Sequence, residues 1–243
     1  MEHWERLCEG GLKFVYGDGA FPPSTDSFLL SSLPRLKKGC RVCDLGCGTG
    51  LLGILLLQRQ RQITVTGVEL NEEAAALGQS CAVKNGLGDR LIIRQGDLRQ
   101  VRQFLPAGRF DLVVCNPPYY PPQSGRTAEK DALRRARAEV TCTLEDVCAA
   151  ASYLLHWGGR LCLVQKPQRL TDVLCALRAH GLEPKQLRFV CRRAGDAPSL
   201  VLVEGCRGGK SGLTVPPPLI LEDASGAPTE EVDAIYFRKE ETP

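Results

Sequence analysis

Arg41-Val42-Cys43-Asp44-Leu45-Gly46-Cys47-Gly48-Thr49-Gly50-Leu51-Leu52-Gly53 is the stretch that decides the fold. Arg41–Leu45 is a short apolar run broken by one acid, which is how a strand covered on both faces reads. Three glycines at alternate positions then let the chain turn sharply and come close to a ligand. From Leu51 to Arg59 the residues read as a helix, whose first N–H groups have no partner within it.

The same alternation continues outward from this unit. Ile63–Leu70 reads as a β-branched strand, Glu72–Asn85 as an alanine-rich helix, and Leu91–Gln95 as a short strand. Phe110–Cys115 is a strand that enters a proline turn. Leu144–Leu155 reads as a helix, Arg160–Gln165 as a strand, and Leu170–His180 as a helix stopped by Gly181. Leu187–Cys191 and Leu200–Glu204 complete the strands. Upstream, Pro22-Pro23-Ser24 interrupts a lead segment, and Thr25 or Asp26 is placed to cap a helix through Leu33. Strands alternating with helices imply an α/β fold with a largely parallel sheet, and ligands of such sheets sit beyond the carboxyl ends of the strands.

Composition narrows the class. Of 243 residues, 43% are hydrophobic and 24% charged, enough apolar material to exclude disorder of the whole chain. The apolar run Leu51–Leu57 falls far short of the roughly 20 residues a membrane-spanning helix needs. Glu2, Glu5, Arg6 and Glu9 do not make a secretory leader, and twelve cysteines without one predict reduced thiols in a cytoplasm. Cys40 and Cys43 are spaced to point to opposite faces of a strand, so no metal site is expected. Net charge is only +3, but Arg160–Arg193 carries a net +6 and Leu219–Pro243 a net −5. That asymmetry predicts a polyanion-binding face and an acidic tail.

The strand ends carry the chemistry. Gly48, Gly50 and Gly53 match a dinucleotide loop, whereas Asp44, Gly46, Gly48 and Gly50 match the first motif of class I methyltransferases that use S-adenosylmethionine. Glu69, 25 residues after Asp44, is placed to hold both ribose hydroxyls of a nucleoside cofactor. Asp97, after the third strand, can accept a hydrogen bond from an adenine amino group. Cys47 in the loop, Leu70 beside Glu69, Leu98 beside Asp97 and Asn116 after the fourth strand belong to the same expected cofactor site.

Asn116-Pro117-Pro118-Tyr119 follows the fourth strand and chooses between the readings. The lone pair of an amino group on a base is conjugated into the ring, so that nitrogen is a poor nucleophile. An acceptor pair that holds its two hydrogens shifts electron density back toward nitrogen. Asn116 supplies a side-chain carbonyl and Pro117 a backbone carbonyl stiffened by Pro118. Tyr119 is placed to stack on the planar group. Methyl transfer from a sulfonium then needs positioning more than a strong base, and needs no metal.

With these residues the chain resembles the class I methyltransferases that act on amino groups, and more narrowly the bacterial tRNA1(Val) adenine-N6 methyltransferase family. The resemblance runs through Thr25-Asp26-Ser27, Asp44–Gly50, Asn116–Tyr120, Cys142–Asp146, Lys166–Leu170, Glu204–Lys210 and Pro216–Leu219. It implies a Rossmann-like class I fold with a mostly parallel seven-stranded sheet and helices on both faces. It divides the chain into a lead segment and helix (1–38) completing the cofactor site, a methyltransferase core (39–206) and a C-terminal extension (207–243). It places Thr25 and Asp26 near the methionine end of S-adenosylmethionine, with S-adenosylhomocysteine as product and tRNA as partner. Many relatives have a histidine where this chain has Ala138, so no fixed chemical role is expected there.

Beyond the motif, Tyr120, Arg126, Arg134 and Arg137 are expected to contact RNA, where a solvated charged helix is the simpler reading. An anticodon-loop base is already single-stranded and can enter a pocket. Three other functions compete: methylation of a glutamine amide in a protein such as a release factor, a nicotinamide-dependent dehydrogenase, and a catalytically silent binding module. The second leaves Asn116–Tyr119 unexplained, and the intact motif argues against the third.

Overall fold

A computed structural model describes residues 2–17, 25–117 and 142–238. Its elements are β1 (Glu2–Arg6), β2 (Lys13–Gly17), α1 (Thr25–Ser32), β3 (Arg41–Leu45), α2 (Leu51–Arg59), β4 (Thr64–Glu69), α3 (Glu72–Lys84), β5 (Leu91–Gln95) and β6 (Phe110–Cys115). They continue with α4 (Leu144–Leu154), β7 (Leu155–Gln165), α5 (Leu170–Ala179), β8 (Leu182–Cys191), β9 (Leu200–Arg207), β10 (Leu219–Ile220) and α6 (Glu230–Ile235). A single-turn 3-10 helix, Pro167–Arg169, leads into α5, and a longer one spans Leu98–Gln103.

The central sheet runs β10-β8-β9-β7-β6-β3-β4-β5. Neighbours from β7 to β5 pair parallel, while β9 lies antiparallel to both β7 and β8. Seven of these strands are those expected. The eighth, β10, pairs with Val190 and Cys191 of β8 and is too short to leave an alternating pattern in sequence. β7 and β8 also begin several residues earlier than expected. In β7 the early part includes His156-Trp157-Gly158-Gly159 and comes with a register shift against β6 between Phe110 and Leu112, a polar and glycine-rich start that hides a strand.

Helices cover both faces of the sheet and generate two apolar clusters. One holds α2, α1 and the α3 side around Leu29, Ile54, Leu55 and Leu57; the other holds α4 and α5 around Val147, Leu154 and Leu177. α2 is sunk deepest, with Leu52 to Leu57 all buried. Gly53 allows that approach, since a Cβ there would stand 3.0 Å from Leu91 and 3.1 Å from Val65. Each such leucine withdrawn from water contributes about 2 kcal/mol. α4 begins with a capping box in which Thr143 and Asp146 satisfy each other's backbone N–H groups.

The lead segment and the tail both join the core. β1 and β2 form an antiparallel hairpin whose Leu7, Leu12, Phe14 and Val15 are buried against it. From the tail, Leu219 and Val232 are buried in the same cluster. The tail's acids also answer the basic stretch. Arg188 pairs with Glu231, and Arg192 and Arg193 both pair with Glu222. Arg160 pairs with Glu204, Arg169 with Asp172 and Arg178 with Glu183. Within Arg160–Arg193, three arginines are thus paired with acids of the tail and three with acids outside it. All twelve cysteines carry free thiols, and most are buried as small apolar groups. No described helix is long and apolar enough to cross a membrane.

Candidate active site

The sheet order places β6 on one side of β3 and β4 on the other, so the direction of winding reverses between β3 and β6. The crevice beyond the carboxyl ends at such a reversal is where open α/β sheets bind ligands. Four of the expected strand-end signals meet there.

The glycine loop leaves β3 through Gly46 (φ 70), Gly48 (φ 55) and Gly50 (φ 82). Side chains strain this left-handed backbone, and a Cβ at Gly46 or Gly48 would point into open space rather than protein. The loop is tied down from below by Gly46 and Cys47 N–H groups donating to the Val68 carbonyl at 2.8 and 3.1 Å. Glu69 Oε2 accepts from Gly48 N–H at 2.8 Å, and its Oε1 from Asn71 N–H at 2.8 Å. Glu69 thus shapes the loop, holding Gly48 and Asn71 through its two carboxylate oxygens. Gly50 precedes α2 with no side-chain cap of its own.

Asp44 lies beneath this loop, 2% exposed. It accepts a hydrogen bond from Gly53 N–H, while its Oδ2 is buried with no hydrogen-bond partner among the described residues. Burial, with the neighbouring Glu69 charge adding to it, pushes the Asp44 carboxyl up to about 7. A buried carboxylate oxygen without a donor, under an open glycine loop, fits a cationic group.

Gly96 N–H donates to the Glu69 carbonyl at 2.8 Å, which brings Asp97 beside the end of β4. Asp97 caps the 3-10 helix Leu98–Gln103 by accepting from Arg99 N–H. It also holds the Arg99 guanidinium at 2.6 Å, and that contact keeps its carboxyl below the usual range. Leu70 is 44% exposed at the end of β4, an apolar side chain left uncovered beside the acids. Leu98 is partly buried against the second cluster.

Asn116 and Pro117 follow β6 directly. The Asn116 side-chain Nδ2 donates to Ser27 Oγ at 3.0 Å. Helix α1 therefore forms the wall of the crevice at β6, and Thr25 and Asp26 lie in its first turn. The Thr25 hydroxyl is hydrogen-bonded to that of Tyr236, whose ring stacks on Phe28 with centroids 4.5 Å apart and planes at 4°. Pro118, Tyr119, Tyr120, Arg126, Arg134 and Arg137 lie outside the described residues.

A family model, the methyltransferase small domain, matches residues 13–178. The chain belongs to the methyltransferase small domain family. Within that family context, a tRNA1(Val) (adenine(37)-N6)-methyltransferase of Porphyromonas gingivalis is 33% identical, covering 66% of this chain and 63% of its own length. The Dickeya chrysanthemi protein of the same name is 29% identical over 87% of this chain and 85% of its own. The chain thus spans less than two thirds of the first of these relatives. The crystal structure of a predicted O-methyltransferase from Agrobacterium tumefaciens matches with a TM-score of 0.71 at 25% identity, covering 88% of this chain and 96% of that one.

The methyltransferase small domain match ends at residue 178, before β8, β9 and the tail. Three contacts at the site were not foreseen from sequence. Ser27 touches Asn116, Tyr236 reaches back to α1, and Thr49 donates its hydroxyl to the Val15 carbonyl at 2.6 Å, fastening the glycine loop to the hairpin. The first was within reach, since Ser27 stands in a quoted motif. The other two involve Val15 and Tyr236, which stand in no motif and leave no local pattern.

Proposed function

We propose that this chain transfers a methyl group from S-adenosylmethionine to the N6 amino group of an adenine in tRNA. The observation that carries it is Asn116-Pro117 seated at the carboxyl end of β6, across the winding reversal from the Asp44 loop, Glu69 and Asp97. The two relatives above, named for this activity on tRNA1(Val), support it, and an anticodon-loop adenine is the corresponding acceptor. The reading divides the chain into a lead segment (1–38), a core (39–206) and an extension (207–243), acting in the cytoplasm without a metal.

When bound, S-adenosylmethionine supplies an activated methyl on a sulfonium and leaves as S-adenosylhomocysteine. The open space over Gly46 and Gly48 and the orphaned Asp44 Oδ2 fit it. Glu69 accepts from the ribose hydroxyls with the carboxylate lone pairs that Gly48 and Asn71 leave over. Asp97 accepts from the adenine amino group, and Leu70 and Leu98 flank the ring. Thr25 and Asp26 stand at the methionine end. Asn116 Oδ1 and the Pro117 carbonyl accept the two hydrogens of the target amino group and aim its lone pair. Tyr119 stacks on the target base, and Tyr120, Arg126, Arg134 and Arg137 grip the surrounding RNA.

Asp44 gives this reading a pH dependence. Only the ionised carboxylate favours a cation, so cofactor affinity should rise as pH increases through about 7. The stability of the free protein moves oppositely. With the folded-state value raised, the neutral form is favoured, and stability falls as pH climbs from the ordinary aspartate range to about 7. Calorimetric titration with S-adenosylmethionine on either side of that value checks the first effect, and Asp44→Asn should flatten it. A flat profile in the unaltered protein removes Asp44 from the cofactor site.

The direct test incubates the protein with labelled S-adenosylmethionine and tRNA lacking the modification, then identifies labelled nucleosides by mass. Label in N6-methyladenosine is the expected result. Label absent from RNA but present in a release-factor glutamine would replace the acceptor and keep the chemistry.

A further inference from the structure

The segment Glu204–Lys210 has no part in the reaction proposed above. In the fold, its Arg207, Gly208 and Gly209 line a cavity of about 440 Å³, together with Trp157, Arg178 and His180. The cavity lies at the amino end of the sheet, where β7 and β8 begin and the antiparallel β9 ends. Trp157 and Gln165 stand near the two ends of β7, which puts the cavity about 26 Å from the carboxyl-end crevice.

Trp157 is 76% exposed, although its ring is the largest apolar group the chain could bury. Gly208 lies directly beneath it. A Cβ there would stand 2.2 Å from Cε2 and Cζ2 of the indole and 2.7 Å from Cδ2. Three adjoining ring atoms at such distances place the glycine backbone against one face of the ring. Gly208 also has φ 65, so both the close approach and the backbone require glycine. The backbone on either side is fastened. Arg207 donates to the Leu155 carbonyl, and the Cys206 thiol lies 3.6 Å from the Gly158 carbonyl. The indole is therefore a braced plate, most of whose surface is open.

The charges beside it are mostly unneutralised. The acceptor of Arg207 is a neutral carbonyl, and no acid pairs with this arginine among the described residues. Lys185 donates to the Lys210 carbonyl at 3.0 Å, and neither lysine is paired with an acid among the described residues. Arg178 meets Glu183 at 3.2 Å, but its side chain is 66% exposed, and such a pair is weak enough to yield to a ligand. His180 is held by Glu145 at 2.8 Å. A pocket that anchors a protein partner has an apolar centre. Here no second large apolar side chain joins Trp157 in the lining. One aromatic plate among cations suits a base, which stacks, joined to a phosphate, which the guanidinium groups hold.

We propose that this cavity binds a nucleotide, with its base on Trp157 and its phosphate on Arg207 and Arg178. The nucleotide is either part of an RNA or free in solution, and only the RNA source rests on the methyltransferase reading above. Held within a tRNA, it adds affinity at a point remote from the reacting amino group and leaves the chemical step alone.

Trp4→Phe leaves Trp157 as the sole tryptophan, so its fluorescence reports on the cavity. The variant is titrated with guanosine monophosphate, ribose 5-phosphate and unmodified tRNA. Guanosine monophosphate is chosen because its base lacks the amino group that the crevice reads. Saturable quenching by guanosine monophosphate, and none by ribose 5-phosphate, is the expected result. An equal response to ribose 5-phosphate overturns the proposal, because it marks a site for anions alone. If Trp4→Phe is unstable, the difference in quenching between the unaltered protein and Trp157→Phe gives the same reading. Trp157→Ala then separates the sources. A tRNA Kd and KM raised about tenfold, with the saturated methylation rate and thermal midpoint unchanged, assigns the site to RNA, and Trp157→Phe should recover most of the loss. Quenching by guanosine monophosphate with an unmoved tRNA Kd assigns it to a free nucleotide. An unmoved tRNA Kd without that quenching overturns the proposal. Absence of methylation by the unaltered protein would strike the methyltransferase reading and leave the quenching result standing.

Discussion

Asn116→Ala should lower the methylation rate by at least about 100-fold, some 3 kcal/mol of transition-state stabilisation, while cofactor affinity stays within about twofold. Asn116 stands at the end of β6, and its side chain turns toward α1, whereas the loop that fits the cofactor leaves β3 and is held by Val68 and Glu69. Truncating the amide removes an acceptor from the amino group and disturbs none of those loop contacts. Single-turnover kinetics with labelled cofactor, beside a calorimetric Kd, separates the two quantities. Activity that survives the change would show that the amino hydrogens are held elsewhere, and the mechanism argued from Asn116 and Pro117 would fall.

Gly67→Val should damage fold and site together. Gly67 lies in β4 opposite Asp44 in register. A Cβ there would stand 2.5 Å from Cys47 Sγ and 2.7 Å from Ile93 Cδ1, closer than packed atoms approach. The first of those neighbours belongs to the glycine loop and the second is in the core under α3. Valine suits a strand by propensity, so a reading of β4 alone would welcome it. Overpacking of this kind costs about 1–3 kcal/mol. Part of the strain is relieved by pushing Cys47 outward, and that displaces the loop. Cofactor affinity should therefore fall at least about tenfold alongside the loss in denaturation midpoint. A variant with a normal midpoint and normal affinity would mean that the loop can step aside without cost.

Much of this molecule is legible in sequence because the signals are local. The run Arg41–Leu45 with its glycines, the β-branched Thr64–Glu69 and the alanine-rich Glu72–Lys84 each declare their own conformation within a few residues. Their alternation fixes a parallel sheet, and a parallel sheet fixes the end at which ligands bind. The acids at the strand ends and the Asn116-Pro117 turn are legible for the same reason.

What the tertiary structure decided depends on residues that sequence distance hides. β10 is two residues of strand made possible by the edge of β8. The hairpin β1–β2 is fixed by packing onto α2 and α3, and through Val15 it holds Thr49 in the glycine loop. Arg188, Arg192 and Arg193 of the basic stretch meet Glu231 and Glu222 of the tail only once the tail is folded against them. Ser27 meets Asn116 across 89 positions, and Tyr236 meets Phe28 across the length of the chain. Periodicity and turn chemistry report the conformation of a segment, whereas these contacts exist only after segments are packed. The sequence by itself therefore determined which glycines, acids and amide stand at the strand ends, and the packing of the two chain ends against the sheet decided how those residues are held.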